Sequence, residues 1–129
     1  MIIGVGTDLV DFRRISRLLR AHPDSAIKKI MRPSEVQFYK GNIELGFSKI
    51  WAYKEAVIKA ANKTVGFADI EIFHLDSGLS QIRIINDEQL REYASRVIGK
   101  HIGCGRLTYH ATLTDELPYI SAVCIIEIC

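Results

Sequence analysis

The chain has 129 residues, 48% of them hydrophobic and 25% charged, with a formal net charge of +2. That size and balance fit one soluble domain, residues 1–129, able to bury a core without disulfides or a structural metal. The small net charge gives no reason to expect nucleic acid or membrane as a partner. Cys104, Cys124 and Cys129 are odd in number and form no Cys-x-x-Cys, so neither a disulfide framework nor a zinc knot is expected. The start Met1-Ile2-Ile3-Gly4-Val5-Gly6-Thr7-Asp8 lacks a basic lead and a long apolar run. No segment approaches the length of a membrane span, and the expected location is cytoplasmic.

Ile2 to Thr7 reads as a first strand ending near Asp8. Gly4 and Gly6 weaken a strand and suggest that something approaches its backbone closely. Asp11 is a candidate N-cap for a helix from Phe12 to Arg20. That helix sets Phe12, Ile15, Leu18 and Leu19 against Arg13, Arg14, Arg17 and Arg20. Pro33 interrupts the following segment, and Ser34 with Gln37 forms a capping box for a short helix. Ser48 is a candidate cap for a longer helix running to about Ala61. Ile70 to Leu75 and Leu79 to Ile85 are strand-like, joined by the turn Asp76-Ser77-Gly78. Asn86 or Asp87 opens an amphipathic helix that ends at Gly99. Thr108 to Thr114 and Ile120 to Ile128 are strands around a turn at Pro118. The last is apolar on nearly both faces and is expected centrally in a sheet or against another subunit. The order β-α-α-α-β-β-α-β-β argues an α+β fold, with a mixed or antiparallel sheet packed with helices.

The helix from Ser48 is the most informative element. Ile50, Trp51, Tyr53, Ala56, Val57, Ile58 and Ala60 make it apolar almost all round, which is the pattern of a buried helix. Yet Glu55 and Lys59 share one narrow strip, four residues apart, with Asn62 beside them. Two readings stay open on spacing alone: an internal Glu55–Lys59 pair, or a carboxylate held for a metal. Asp8 is likewise either a turn former or a ligand. If Asp8 and Glu55 converge, two carboxylates without His or Cys make a hard oxygen site, which selects magnesium.

Three stretches carry a family resemblance. Gly4-Val5-Gly6-Thr7-Asp8-Leu9-Val10, followed by Arg14-Ile15, resembles the opening motif of holo-acyl-carrier-protein synthases. Trp51-Ala52-Tyr53-Lys54-Glu55-Ala56-Val57-Ile58-Lys59-Ala60 resembles that family's Phe-Ala-x-Lys-Glu-Ala-x-x-Lys-Ala signature. His110-Ala111-Thr112-Leu113-Thr114-Asp115-Glu116 is similar to the closing motif of one branch; other branches have Ser-His where this chain has Thr114-Asp115. The three keep their order and span nearly the whole chain.

The resemblance implies transfer of 4'-phosphopantetheine from coenzyme A to a serine of an acyl carrier protein, for fatty acid biosynthesis, by a magnesium-dependent homotrimer with active sites between subunits. It puts Asp8 and Glu55 at the metal positions, and Glu55 and Lys59 at the catalytic ones. Lys59 also stands where coenzyme A phosphates are neutralised. Lys63, Gly66, His110 and Thr112 stand at or near coenzyme A positions. Lys54 is either a second phosphate contact or a solvated side chain. Arg13, Arg14, Arg17 and Arg20 match the helix that docks the acidic carrier protein, to which Arg is well suited.

Some positions depart from the pattern. Ile50 stands where the family has an Arg. Ala61-Asn62-Lys63-Thr64-Val65-Gly66 replaces a Gly-Thr-Gly turn, and Gly78-Leu79-Ser80 replaces Gly-Lys-Pro. These places contact the nucleotide in the family. They motivate an alternative, a relative that binds coenzyme A or carrier protein without transfer. An RNA- or anion-binding module built on the arginine helix lacks interleaved aromatics and a strongly basic charge.

Overall fold

The computed structural model describes residues 1–129. In chain order it contains β1 (Ile2–Asp11), α1 (Phe12–Ala21), α2 (Pro23–Ile30), α3 (Pro33–Phe38), α4 (Ile43–Ala60), a 3-10 turn (Phe67–Asp69), β2 (Ile70–His74), β3 (Ser80–Ile84), α5 (Glu88–Ile98), β4 (Leu107–Glu116) and β5 (Tyr119–Ile128). The α+β class holds. The strands form a three-stranded sheet in the order β1-β5-β4 and a separate β2-β3 hairpin, both wholly antiparallel. The apolar final strand is therefore central, as its composition requires. No helix is long and apolar enough to cross a membrane.

Several boundaries differ from those read in the sequence. β1 runs past Asp8 to Asp11, because β5 continues to pair with it as far as Tyr119. Asp11 then caps α1, its Oδ1 accepting from Arg13 N at 2.9 Å. The helix α2 was not expected; Pro23 stands at its first turn, where its missing N–H costs nothing. α3 begins at Pro33, and the Glu35 side chain reaches back to Arg32 N. α4 starts at Ile43 under an Asn42 cap, five residues before Ser48, which lies inside the helix and bonds Glu44 O. Gly46 hides this start, being a poor helix former. It is needed because a Cβ there would lie 2.2 Å from the Tyr39 ring.

α4 is the core of the molecule. Phe47, Ile50, Ala52, Ala56 and Val57 are fully buried against the inward residues Ile120, Ala122, Cys124 and Ile126 of β5. The other face of the sheet has no covering layer. It presents Val5, Thr7 and Leu9 from β1, Val123 and Ile125 from β5, and His110 and Thr112 from β4. Val5 and Leu9 are 58% and 67% exposed.

Candidate active site

The site begins with the two glycines of β1. A Cβ on Gly4 would lie 1.8 Å from Ala60 O, and one on Gly6 would lie 2.0 Å from Ala56 O. The strand thus runs backbone to backbone across the last two turns of α4, with no side chain between them. That contact delivers Asp8, two residues beyond Gly6, to the strip of α4 that carries Glu55 and Lys59.

Lys59 Nζ donates to Asp8 Oδ1 at 3.0 Å and to Thr7 O at 2.9 Å. The pair left open in the sequence is therefore Lys59 with Asp8, not Lys59 with Glu55. Asp8 is 13% exposed and Lys59 50%. Asp8 Oδ2 is buried and accepts no hydrogen bond. An unsatisfied buried carboxylate oxygen is costly and calls for a cation or donor that the chain does not supply. Glu55, half-buried, sits in the field of Asp8. Its carboxyl is held above the ordinary range first by burial and then by the Asp8 charge, with Lys59 pulling the other way. Two carboxylates, one with a bare oxygen, fit a hard divalent cation that completes its shell with waters and phosphate oxygens. The chain holds no third His, Cys, Asp or Glu grouped with them.

The remaining residues fall into three groups. Lys63 and Gly66 are exposed in the turn after α4 and line, with Thr64 and Asn86, a small cavity of about 220 Å³. Gly66 N already donates to Asp69 Oδ2. Asn62 and Lys63 hold φ of 51° and 61°, so a left-handed turn persists there without glycine. His110 and Thr112 project from the open face of β4, away from α4, and His110 Nε2 lies 3.1 Å from Glu127 Oε2. Within the chain they do not meet Asp8 and Glu55. Ile50 is fully buried, while Lys49 turns toward Asp115 at 3.6 Å.

Lys54 meets neither expectation drawn from the sequence. Neither a phosphate contact nor a solvated side chain, it is fully buried, with Nζ donating to Glu35 Oε1 and to Ile30 O, each at 2.7 Å. Glu35 also accepts from Ile72 N at 2.8 Å. Burial pulls the ammonium below its usual range, and Glu35 opposes that. The lysine therefore joins α4 to the end of α2 and to α3, and through Glu35 to β2. Glu35 was missed because nothing in its local sequence marks it as buried; only a lysine on a buried face, in need of an anion, could have pointed to it.

On α1 the arginines divide. Arg13 pairs with Asp11 and Arg20 with Glu44, each at 2.8 Å. Arg14 and Arg17 are exposed and form no ion pair within the chain.

Fold and site define a class: a small α+β domain that gathers two carboxylates and an ammonium at a strand–helix contact, beside an arginine-bearing helix. Comparison with known proteins makes the class specific. Residues 4–114 match the model of the 4'-phosphopantetheinyl transferase superfamily, and the chain belongs to that family. It is 33% identical, over 98% of its length and 84% of the relative's, to the holo-[acyl-carrier-protein] synthase of Baumannia cicadellinicola. With that of Hydrogenovibrio crunogenus it shares 32% identity over 98% of each chain. The fold is that of the Helicobacter pylori holo-[acyl-carrier-protein] synthase in complex with coenzyme A, with a TM-score of 0.77, 19% identity, and 95% and 99% of the two chains covered.

Proposed function

We infer that the protein transfers the 4'-phosphopantetheine group of coenzyme A to a serine hydroxyl of an apo-acyl carrier protein, releasing adenosine 3',5'-bisphosphate. The full-length match to relatives of that activity supports the class. The observation that carries the chemistry is the buried, unpartnered Asp8 Oδ2 beside Glu55 and Lys59.

In this reading the carrier serine oxygen attacks the β-phosphorus, and the bond from that phosphorus to the bridging oxygen of the pyrophosphate breaks. Asp8 and Glu55 would hold a magnesium ion, which when bound supplies positive charge against the pyrophosphate. Glu55 accepts the serine proton as general base. Lys59, half-exposed on a long stem, neutralises the phosphates. Lys63 and Gly66 contact the donor from the turn after α4. Arg14 and Arg17, with Arg13 and Arg20 flanking them, receive the acidic carrier protein. His110 and Thr112 complete the site from a neighbouring protomer, which accounts for their projection from the opposite face of the sheet. The uncovered apolar strands β1 and β5 are the surface for that homotrimeric contact. The 129-residue domain works in the cytoplasm.

The test is a mass measurement. Wild-type protein with apo carrier protein, coenzyme A and magnesium adds the phosphopantetheine mass to the carrier. Asp8→Ala and Glu55→Ala lose most of that activity, and excess coenzyme A does not restore it. Full activity in either removes the metal assignment. A folded wild type that adds no mass favours the non-catalytic binder.

A further inference from the structure

We propose that Lys59 stands in for part of the divalent cation while the donor is absent, and that it couples metal binding to coenzyme A binding. The proposal rests on the Asp8–Glu55 reading above. Lys59 is half-exposed, and solvated rotamers are open to a side chain of that length. It nevertheless turns inward and spends two hydrogens on Asp8 Oδ1 and Thr7 O. A largely buried carboxylate requires a counter-charge, and Lys59 is the cation within reach. The neutralisation is half done: Oδ1 is paired, Oδ2 is bare, and Glu55 has no ion-pair partner. The site therefore keeps a deficit of positive charge with its ammonium already in place.

A divalent ion entering at Asp8 meets that ammonium at close range, where like charges repel. One of them must leave. Without a donor, the displaced ammonium has only water to go to. With a pyrophosphate present it has an anionic alternative nearby, and its departure becomes favourable. Donor binding thus makes metal binding tighter, and the reverse follows by linkage, with a coupling of about tenfold as the expected scale. This differs from a lysine that merely contacts phosphate, which leaves the donor-free metal affinity unchanged.

The experiment uses manganese ion as the probe, with free Mn²⁺ followed by electron paramagnetic resonance in the full chain without coenzyme A. Lys59→Met is expected to bind Mn²⁺ about tenfold more tightly than wild type. Lys40→Met removes one exposed lysine charge without touching Asp8 and is expected to stay within about twofold of wild type. Adding coenzyme A tightens Mn²⁺ binding in wild type and has a much smaller effect in Lys59→Met. Lys59→Gln serves if the methionine variant does not fold. Wild-type or weaker binding in both Lys59 variants, or equal tightening by coenzyme A in all proteins, overturns the proposal while leaving the metal site intact. Undiminished Mn²⁺ binding by Asp8→Asn and Glu55→Gln removes the metal reading itself, and this proposal with it.

Discussion

Gly6→Ala tests whether the backbone contact between β1 and α4 sets the active site. The added methyl would lie 2.0 Å from Ala56 O and 2.6 Å from Ala60 N, where ordinary contact begins at 3.4 Å. The strand must move off by about 1.4 Å, since helix backbone in a close-packed core does not yield. β1 is an edge strand, held laterally only by β5, so lifting it is possible but disturbs the ladder that fixes Thr7 and Asp8. Overpacking of this kind costs about 1–3 kcal/mol, which in a domain of this size lowers Tm by roughly 4–12 °C. The functional loss should exceed the loss of stability. A displacement of about 1 Å at a positioned group costs on the order of a hundredfold in rate, and Asp8 rides on the displaced segment. Calorimetry gives the first quantity, and the rate of mass gain on apo carrier protein, measured well below Tm, gives the second. Gly41→Ala is the control: its Cβ meets nothing within 4 Å, and the change should be neutral or slightly stabilising. A Gly6→Ala protein with wild-type Tm and a rate within about twofold of wild type would refute the reasoning.

Three further outcomes are expected. Lys54→Met leaves Glu35 charged and buried and should cost about 3–5 kcal/mol in urea unfolding; Lys54→Met with Glu35→Leu should recover part of that, the Arg32 and Ile72 N–H groups having lost their acceptor, and a single variant as stable as wild type contradicts the assignment. Glu55, with its carboxyl held above the ordinary range, binds a proton more readily folded than unfolded, so its contribution to stability grows as pH falls through its folded-state pKa. Glu55→Gln should therefore raise the Tm of the metal-free protein at neutral pH while removing transfer activity, and an unchanged or lower Tm counts against the electrostatic picture. Arg17→Glu should raise the KM for carrier protein about tenfold through lost charge complementarity and leave the KM for coenzyme A alone; an unchanged carrier KM removes α1 as the docking helix.

Much of this was legible in the sequence because the signals were local. The all-apolar surface of α4 announced a buried helix, the two glycines of β1 announced a close approach by an unnamed partner, and the apolar final strand announced a place at the sheet centre or against another subunit. The failures were of two kinds. α2 and the first turn of α4 carry weak local propensity, and packing decides them, as the Tyr39 ring over Gly46 shows. Lys54 and Lys59 sit five residues apart on the same helix, and no rule of spacing says which meets a buried glutamate and which a catalytic aspartate. Partners for both come from elements distant in the chain, Glu35 on α3 and Asp8 on β1. Asp8 and Glu55 were legible as a pair only through the chemistry that two carboxylates would share.

Asp8 and His110 leave the same sheet by opposite faces, and this geometry governs how damage spreads in the assembly proposed above. Each catalytic centre would draw on two copies of the chain, so a copy lacking Asp8 spoils the centre it hosts, while its intact β4 still serves a neighbour. Mixing an Asp8 variant with a His110–Thr112 variant, each inert alone, should regenerate working centres, since some pairings bring an undamaged α4 strip to an undamaged β4. By the same arithmetic, a copy defective at both places would poison two centres at once.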